Sequence, residues 1–460
     1  MTGRNGKRLG AGDLAAYAAP AMALAIPTIP VAVLLPTFYA ESVGLPLAAI
    51  GIALAIARLT DVVTDPLVGA LSDRWPGRFG RRKPMMALGA PIAGIALWLL
   101  FVPPEGVSTI YLALTAGLLY LGWTMLAVPY AAWGAELSSD YRERARITLV
   151  REGAQMTGIL LALVVPVAAA TAGQADALRL IVILTITGGA LALAAAFMRL
   201  PDPETKPGPR TRLSLRILIR NRPFLRLLAA WFVNGLANGF PMVLFAFFVT
   251  HVLAGGEGER NFLLLLYFAA GIAGVPLWLW LSGRFEKHRV WCAAMIFNCL
   301  AFATAGLLGP GDIIAFAAIC VATGMALGAD LALPPAIQAD VVDYDTLKSN
   351  GKRAGFFFAL WNMATKLALA AAVGIAFGVL DISGFDAQAS KQTETATSTL
   401  VFLYAIAPIF LKSIAVMLTY GFPIDAARQA VIRRRLQQRE DRDARQTGAS
   451  GSVTDGRPGN

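Results

Sequence analysis

Arg58-Leu59-Thr60-Asp61-Val62-Val63-Thr64-Asp65-Pro66 lies deep in an apolar run extending from Leu47 to Leu71. A helix of ~20 such residues matches the ~30 Å hydrocarbon core of a bilayer. A carboxylate at that depth costs roughly 2.5 kcal/mol or more, and this run carries two. Spaced i, i+4, Asp61 and Asp65 project from one face of a helix. Arg58, three residues before Asp61, occupies a nearby part of that face. Two like charges so close repel unless a cation or a proton sits between them. The stretch therefore reads as a cation or proton site inside a membrane protein, and the alternative is a buried structural ion-pair network. Asp65 favours the site, because Arg58 is seven residues away and no other local partner is evident.

Composition supports the membrane reading. Of 460 residues, 57% are hydrophobic and 15% charged, unlike a soluble globular domain. Apolar runs of ~20 residues recur, which makes the chain an all-α polytopic membrane protein of about 12 transmembrane helices. Spans are expected near 14–40, 48–71, 84–103, 108–136, 148–172, 177–199, 223–251, 261–282, 290–309, 312–336, 354–380 and 398–422. The first contains Pro20, Pro27, Pro30 and Pro36 and is expected to kink. The polar start, Met1 to Gly12, leads into a spanning pattern and not into a cleavable signal.

The net charge of +11 does not indicate nucleic acid, because the Lys and Arg residues cluster in alternate loops between spans. Arg74 to Lys83, Arg142 to Arg146, Lys206 to Arg222, Arg284 to Arg289, Lys348 to Arg353 and the tail share one side, and the opposite loops hold little beyond Arg179, Arg260 and Lys391. That side is expected to be cytoplasmic, with both termini on it. Cys292, Cys299 and Cys320 fall in apolar spans and read as small core residues, not disulfides or metal ligands. A membrane enzyme would need a nucleophile–base pair or a metal cluster. The only histidines, His251 and His288, fall at opposite membrane faces, so no enzyme is expected.

The domain organisation follows from the loops. Residues 1–200 form an N-terminal half of six helices carrying the cation site, and residues 201–222, rich in Pro and Arg, form a cytoplasmic linker. Residues 223–423 form a second six-helix half, followed by a basic, disordered tail over 424–460. The halves echo one another. Leu71-Ser72-Asp73-Arg74 parallels Leu281-Ser282-Gly283-Arg284, Pro129 with Glu136 and Asp140 parallels Pro334 with Asp340 and Asp343, and Arg151-Glu152-Gly153 parallels Arg353-Ala354-Gly355. Parallel repeats of this size place a substrate site near mid-membrane between the halves.

Two interior lysines need explanation. Lys366 lies more than a turn inside an apolar span and needs a partner, for which Asp61 and Asp65 are the natural choice. Lys412, in the twelfth span, either snorkels or pairs with a group such as Asp330, which is itself expected to face an aqueous cavity.

Gly69-Ala70-Leu71-Ser72-Asp73-Arg74 followed by Gly80-Arg81-Arg82-Lys83 resembles the cytoplasmic signature of the major facilitator superfamily. Together with Asp61-Val62-Val63-Thr64-Asp65-Pro66, Ala339-Asp340-Val341-Val342-Asp343-Tyr344 and Lys366, the chain resembles the glycoside–pentoside–hexuronide:cation symporters, the melibiose permease group. The animal sodium-coupled lysophosphatidylcholine transporters are also similar. The resemblance implies the major facilitator fold and alternating access coupled to Na+ or H+. It implies a cation site at Asp61, Thr64, Asp65 and Thr124, with Asp61 and Asp65 as sodium ligands if sodium is the ion. It further implies coupling roles for Lys366, Asn362 and Arg58, and gating roles for Asp73, Arg74, Arg78, Arg81 and Arg82. Arg151 matches a functional arginine of the group. At the positions of its sugar-binding aspartates, this chain has Ala25 and Ala127. A substrate cavity is instead expected to draw on Tyr39, Trp123, Tyr130, Arg151, Asn234, Asn238, Asp330 and Trp361. The expected substrate is a carbohydrate or glycoside, and the alternative is a lysolipid or other amphiphile. No cofactor beyond the coupling ion is implied. The expected partners are a small-molecule substrate, the cation and the lipid bilayer, in a monomer in a bacterial inner membrane.

Overall fold

The computed structural model describes residues 8–74, 80, 82–138, 141–168, 174–201, 221–349, 354–389 and 391–451. Among the described residues there are helices and no strands. The first span, α1, runs from Ala11 to Glu41 and is broken. Ala11–Ala25 is followed by a turn, a π-helical segment over Pro30–Leu34, and Leu35–Glu41. Pro27 and Pro30 each lack an N–H and crowd the carbonyl four residues earlier, which accounts for the expected kink. The remaining spans are α2 (Leu47–Arg74), α3 (Lys83–Phe101), α4 (Thr109–Glu136), α5 (Tyr141–Ala168), α6 (Gln174–Arg199) and α7 (Arg222–His251). They continue with α8 (Glu257–Ser282), α9 (Lys287–Ala305), α10 (Ile313–Ser349), α11 (Ala354–Ile382) and α12 (Glu394–Thr419), the last carrying a π-helical segment at Phe402–Ile406. Local chemistry sets several starts. Ser108, Asn221 and Thr393 accept hydrogen bonds from the backbone N–H three residues on, as N-caps do.

Eleven of these helices are long and apolar enough to cross a membrane. The remaining one, α9, falls short because its first turn holds Lys287, His288 and Arg289 and its interior holds Asn298. Its 19 residues still reach about 28 Å at 1.5 Å per residue. Two helices overrun their expected ends, α5 at its start and α10 at its finish, because helical propensity continues where apolar character stops.

Helices α1–α6 pack on one another, as do α7–α12, and the two sets meet mainly along α2 with α11 and α5 with α8. Glycines allow the closest approaches. A Cβ on Gly158 of α5 would lie 2.2 Å from the Met22 carbonyl of α1, and one on Gly324 of α10 would lie 2.2 Å from the Tyr267 carbonyl of α8.

The buried apolar residues form three clusters whose distribution is uneven. The largest joins both sets at the end away from the basic loops, with Tyr39 of α1, Ile50 of α2, Phe248 of α7 and Phe377 of α11. At the basic end the cores are separate. One holds Tyr17, Trp133 and Ile147 from the first set, and the other holds Phe224, Trp291 and Phe357 from the second. Across the joined end Arg260, 2% exposed, pairs with Glu41 at 3.4 Å. The Gln388 amide donates to the Glu41 carbonyl at 3.4 Å. The halves thus share one core at one end and keep separate cores at the other.

The tail differs from the expectation. Ala426–Gly451 is a helix, α13, and its first turns dock on α10. Ile432 is buried, Gln429 donates to Asp343 at 2.9 Å, and Arg433 pairs with Asp340 at 3.4 Å. The high charge that reads as disorder includes an amphipathic stripe, and the overhanging acidic end of α10 supplies its partner. Residues 202–220, most of the expected linker, and the tail beyond 451 lie outside the described residues.

Candidate functional site

Three helices from both halves build the site. Asp61 and Asp65 stand one turn apart on α2, Thr124 faces them from α4, and Lys366 reaches them from α11. The Thr124 hydroxyl lies 2.8 Å from Asp61 Oδ1 and 2.9 Å from Asp65 Oδ1. The Lys366 ammonium lies 2.6 Å from Asp65 Oδ2 and 3.1 Å from Asp61 Oδ2. Asp61 and Thr124 are buried, whereas the Asp65 and Lys366 side chains keep 28% and 23% of their surface. The site is therefore deep at Asp61 and reachable at Asp65.

The arrangement is one positive charge short. Two carboxylates and one ammonium sum to −1, in surroundings that disfavour net charge. The Thr124 hydroxyl owns one proton and stands within hydrogen-bond range of two carboxylate oxygens, so it can donate to only one at a time. One monovalent positive species, a proton or an alkali cation, would balance the charge. Carboxylate and hydroxyl oxygens suit a hard cation. Among the described residues no group of three or more His, Cys, Asp or Glu exists to hold a transition metal.

The other expected site residues divide. Thr64 turns back on its own helix, donating to the Asp61 carbonyl at 3.4 Å and not to a carboxylate. Its i+3 position offers that backbone acceptor first. Arg58 makes no ion pair with Asp61 or Asp65; its guanidinium sits 4.9 Å from the Tyr120 ring centroid on α4, a cation–π contact. Asn362 is exposed one turn before Lys366. Arg151 pairs with its neighbour Glu152 at 2.6 Å. Trp361 stacks on Trp231 of α7 with centroids 4.6 Å apart, and the Trp231 indole donates to Thr365, next to Lys366, at 2.7 Å. Trp123 and Tyr130 line an apolar cavity of about 510 Å³ among α1, α3, α4 and α6, away from the carboxylates. Tyr39 is buried at the joined end, donating to the Leu100 carbonyl at 3.1 Å.

Asp330 corrects an expectation. It is 6% exposed and does not face an open aqueous cavity. Trp291, Asn238 and Asn234 donate to it at 2.6, 2.8 and 3.1 Å. Lys412, 1% exposed, lies 3.8 Å from the carboxylate and donates to the Asn234 carbonyl oxygen at 2.8 Å. The open question over Lys412 is settled by this network: it pairs and does not snorkel. Donors from α7 and α9 hydrogen-bond the carboxylate, and the Lys412 ammonium of α12 supplies its counter-charge.

Of the gating residues, Arg82 is buried between the Ser72 hydroxyl at 3.1 Å and Glu136 at 2.6 Å, tying the ends of α2 and α4. The side chains of Asp73 and Arg74, and the whole of Arg78 and Arg81, lie outside the described residues. Sequence reasoning missed the Glu41–Arg260 pair, Trp231 and Asn298. Arg260 showed only as an exception to the loop charge pattern, and the others as isolated polar or aromatic residues in spans.

Residues 16–426 match the family model described as MFS/sugar transport protein. The chain is 27% identical over 443 residues to sodium-dependent lysophosphatidylcholine symporter 1 of Homo sapiens, covering 87% of this chain and 80% of that one. It is 26% identical over 424 residues to YagG of Escherichia coli (strain K12), provisionally named a glycoside/cation symporter, covering 88% and 90%. A mutant of the nucleoside transporter NupG superposes with a TM-score of 0.63 at 12% identity, covering 89% of this chain and 100% of that one. A bacterial homolog of the human lysosomal transporter Spinster, in an inward-facing and unoccupied conformation, gives 0.62 at 14% identity, covering 92% and 96%. At these identities the two structures speak to the fold alone. The family match runs from the first span through the last, and the chain belongs to the MFS/sugar transport proteins.

Proposed function

We propose that this chain is a symporter of the melibiose permease group that couples substrate movement to one monovalent cation, Na+ or H+, bound at Asp61, Asp65 and Thr124. One observation carries the reading: both carboxylates share the Thr124 hydroxyl and the Lys366 ammonium, in a cluster one positive charge short. The names of the human and E. coli relatives, which include sodium and cation coupling, support it. Lys366 stands in for the ion when the site is empty. A cation arriving at the carboxylates takes over the oxygens that Lys366 holds, and the freed ammonium, beside Thr365 and the Trp231–Trp361 stack, turns to the substrate. Because Asp61 and Asp65 belong to one half and Lys366 to the other, ion occupancy alters how the halves are tied. That is the differential interaction coupling requires.

With the basic side cytoplasmic by the distribution of Lys and Arg, the end with separate cores opens inward and Glu41–Arg260 closes the outside. Arg82 with Glu136 and Ser72, and the Asp73 and Arg74 region beyond it, serve the inner gate. The substrate reading is a carbohydrate or glycoside, in line with the family's description. A second reading, an amphiphile, is favoured by the lysophosphatidylcholine relative and by an aromatic cavity reaching both halves. Uptake into proteoliposomes under an imposed Na+ or pH gradient tests the coupling. Asp65→Asn and Asp61→Asn should each abolish cation-driven accumulation while leaving the protein folded. If both variants accumulate substrate with unaltered cation dependence, the cluster is a structural ion-pair network.

A further inference from the structure

A cavity of about 320 Å³ lies at the basic-loop end of the second half, where the tail helix α13 meets the rest of the fold. Its size is at the lower end of the range for small-molecule sites. One wall is the turn into α9, with Phe285, Glu286 and Lys287, and another is Ile337 and Asp340 of α10. The tail from Ile424 to Arg433 supplies the rest. The cavity therefore exists only while α13 is docked.

Some of its charges are already matched. Lys287 and Arg433 both pair with Asp340, at 2.5 and 3.4 Å. Three other groups keep an acceptor in hand. Glu286 Oε2 accepts from the Ala426 N–H at 2.9 Å, and Asp425 Oδ1 accepts from the Arg428 N–H at 2.7 Å as a helix cap. The second oxygen of each carboxylate has no hydrogen bond among the described residues. Gln429 is 6% exposed, and its Nε2 donates to Asp343 at 2.9 Å. That bond fixes which way the amide faces, and the Oε1 left over is buried and unpaired. Such a vacancy is unfavourable, and native structures rarely keep one without reason. With His288 neutral, the carboxylates on these walls exceed the cations by one.

We infer that this cavity binds a protonated primary amine on a short aliphatic stem. An ammonium has three N–H donors and no acceptor, which matches two free carboxylate oxygens and one free amide oxygen. Its charge offsets the excess carboxylate, whereas an anion would add to it. Phe285, Ile337 and Ile424 give the stem apolar cover. A free amine and the headgroup of an ethanolamine lipid offer the same chemistry. Because the walls come from the tail and from the body of the second half, amine binding and tail docking strengthen each other by linkage. The inference rests neither on the transport reading nor on the cation site.

Calorimetric titration of the full chain in phosphatidylcholine nanodiscs near neutral pH, where an alkylamine is protonated, tests it. The probes are n-butylamine, 1-butanol, which has the stem without the charge, and tetramethylammonium, which has the charge without a donor. Butylamine should bind at least tenfold more tightly than either of the others. Glu286→Gln and Asp425→Asn each keep an oxygen for the backbone N–H and remove the charge, and each should weaken butylamine about tenfold. In the wild type, butylamine should slow hydrogen exchange over residues 426–436 at least threefold, and in the two variants it should not. Nanodiscs containing an ethanolamine lipid separate the sources. Weaker apparent butylamine affinity there identifies the headgroup as occupant, and unchanged affinity a free amine. Equal binding of 1-butanol or tetramethylammonium, unchanged affinity in both variants, or unaltered exchange in the wild type overturns the inference and leaves Gln429 Oε1 to solvent.

Discussion

Replacing Lys366 by methionine tests whether this lysine competes with the coupling cation. Methionine keeps most of the side-chain volume and removes the charge. The ammonium lies 2.6 Å from Asp65 and 3.1 Å from Asp61, with Lys366 and Asp65 about a quarter exposed and Asp61 8%. Exposed ion pairs contribute about 0.2–1 kcal/mol each, and burial of Asp61 puts this pair toward the upper end. Two contacts then give about 1–2 kcal/mol that an incoming cation must displace. Without them, cation binding should tighten about 5- to 30-fold at 1.4 kcal/mol per decade. The two carboxylates share one hydroxyl, so their nearer oxygens are about 5–6 Å apart or closer. At an effective dielectric of ~20, their repulsion is about 3 kcal/mol once Lys366 is gone, which a bound sodium ion relieves. Sodium titration by calorimetry reads the change in affinity. Net uptake should fall, because the empty carrier must return with a bare anion pair, while exchange of bound substrate persists. Unchanged or weakened sodium affinity in Lys366→Met would refute the competition.

Other outcomes follow from the same geometry. Thr124→Val removes a hydroxyl hydrogen-bonded at the two carboxylates, and cation affinity should drop about tenfold with folding intact; an unaltered calorimetric Kd would remove Thr124 from the site. Lys412→Met leaves Asp330 buried without its counter-charge and should cost about 3–5 kcal/mol, read as a lower unfolding temperature that a second substitution, Asp330→Asn, largely restores. If the double variant is no better than the single, the pair is not the cause. Glu41→Gln unties the joined end from Arg260. The population with that end open should rise at least tenfold, seen as longer distances between spin labels at positions 43 and 258, and an unchanged distribution would count against a closure there. Arg82→Ala cuts the tie between α2 and α4 and should slow transport more than it weakens substrate binding. Equal losses in both, with conformational exchange unaffected, would contradict a gating role.

What was legible in the sequence was whatever violated the rule of apolar spans. Asp61, Asp65 and Lys366 stand out because a charge in hydrocarbon demands a partner, and spacing alone puts the two aspartates on one face. Thr124 is different: a threonine in a span is unremarkable, and only the family resemblance pointed to it. Lys412 and Asp330 were visible as charges, but their pairing was not, because it depends on how α10 and α12 are rotated against each other and on two asparagines of α7 between them. Thr64 and Arg58 misled for a related reason. Position along a helix fixes the side on which a residue starts, while the nearest acceptor or ring fixes where its polar end goes. For Thr64 that was the Asp61 carbonyl, and for Arg58 the Tyr120 ring. The tail helix escaped because its partner is the acidic overhang of α10, beyond the apolar span that the sequence marks.

Among the described residues, ion pairs join the two halves at two places, Glu41–Arg260 at the closed end and Lys366 with Asp61 and Asp65 in the middle. A cation bound as proposed would act directly on only the second. A cation at the carboxylates replaces a tie between halves with ligands that all belong to the first half, so binding loosens the middle without touching the end. If that tie contributes about 2 kcal/mol, its loss shifts the balance between joined and parted arrangements by about 30-fold, enough to make a closed outer end yield. A substrate that binds the loosened arrangement more tightly gains affinity from the ion, and by linkage the ion gains the same factor from the substrate. Ion and substrate would then act on the same equilibrium through different contacts.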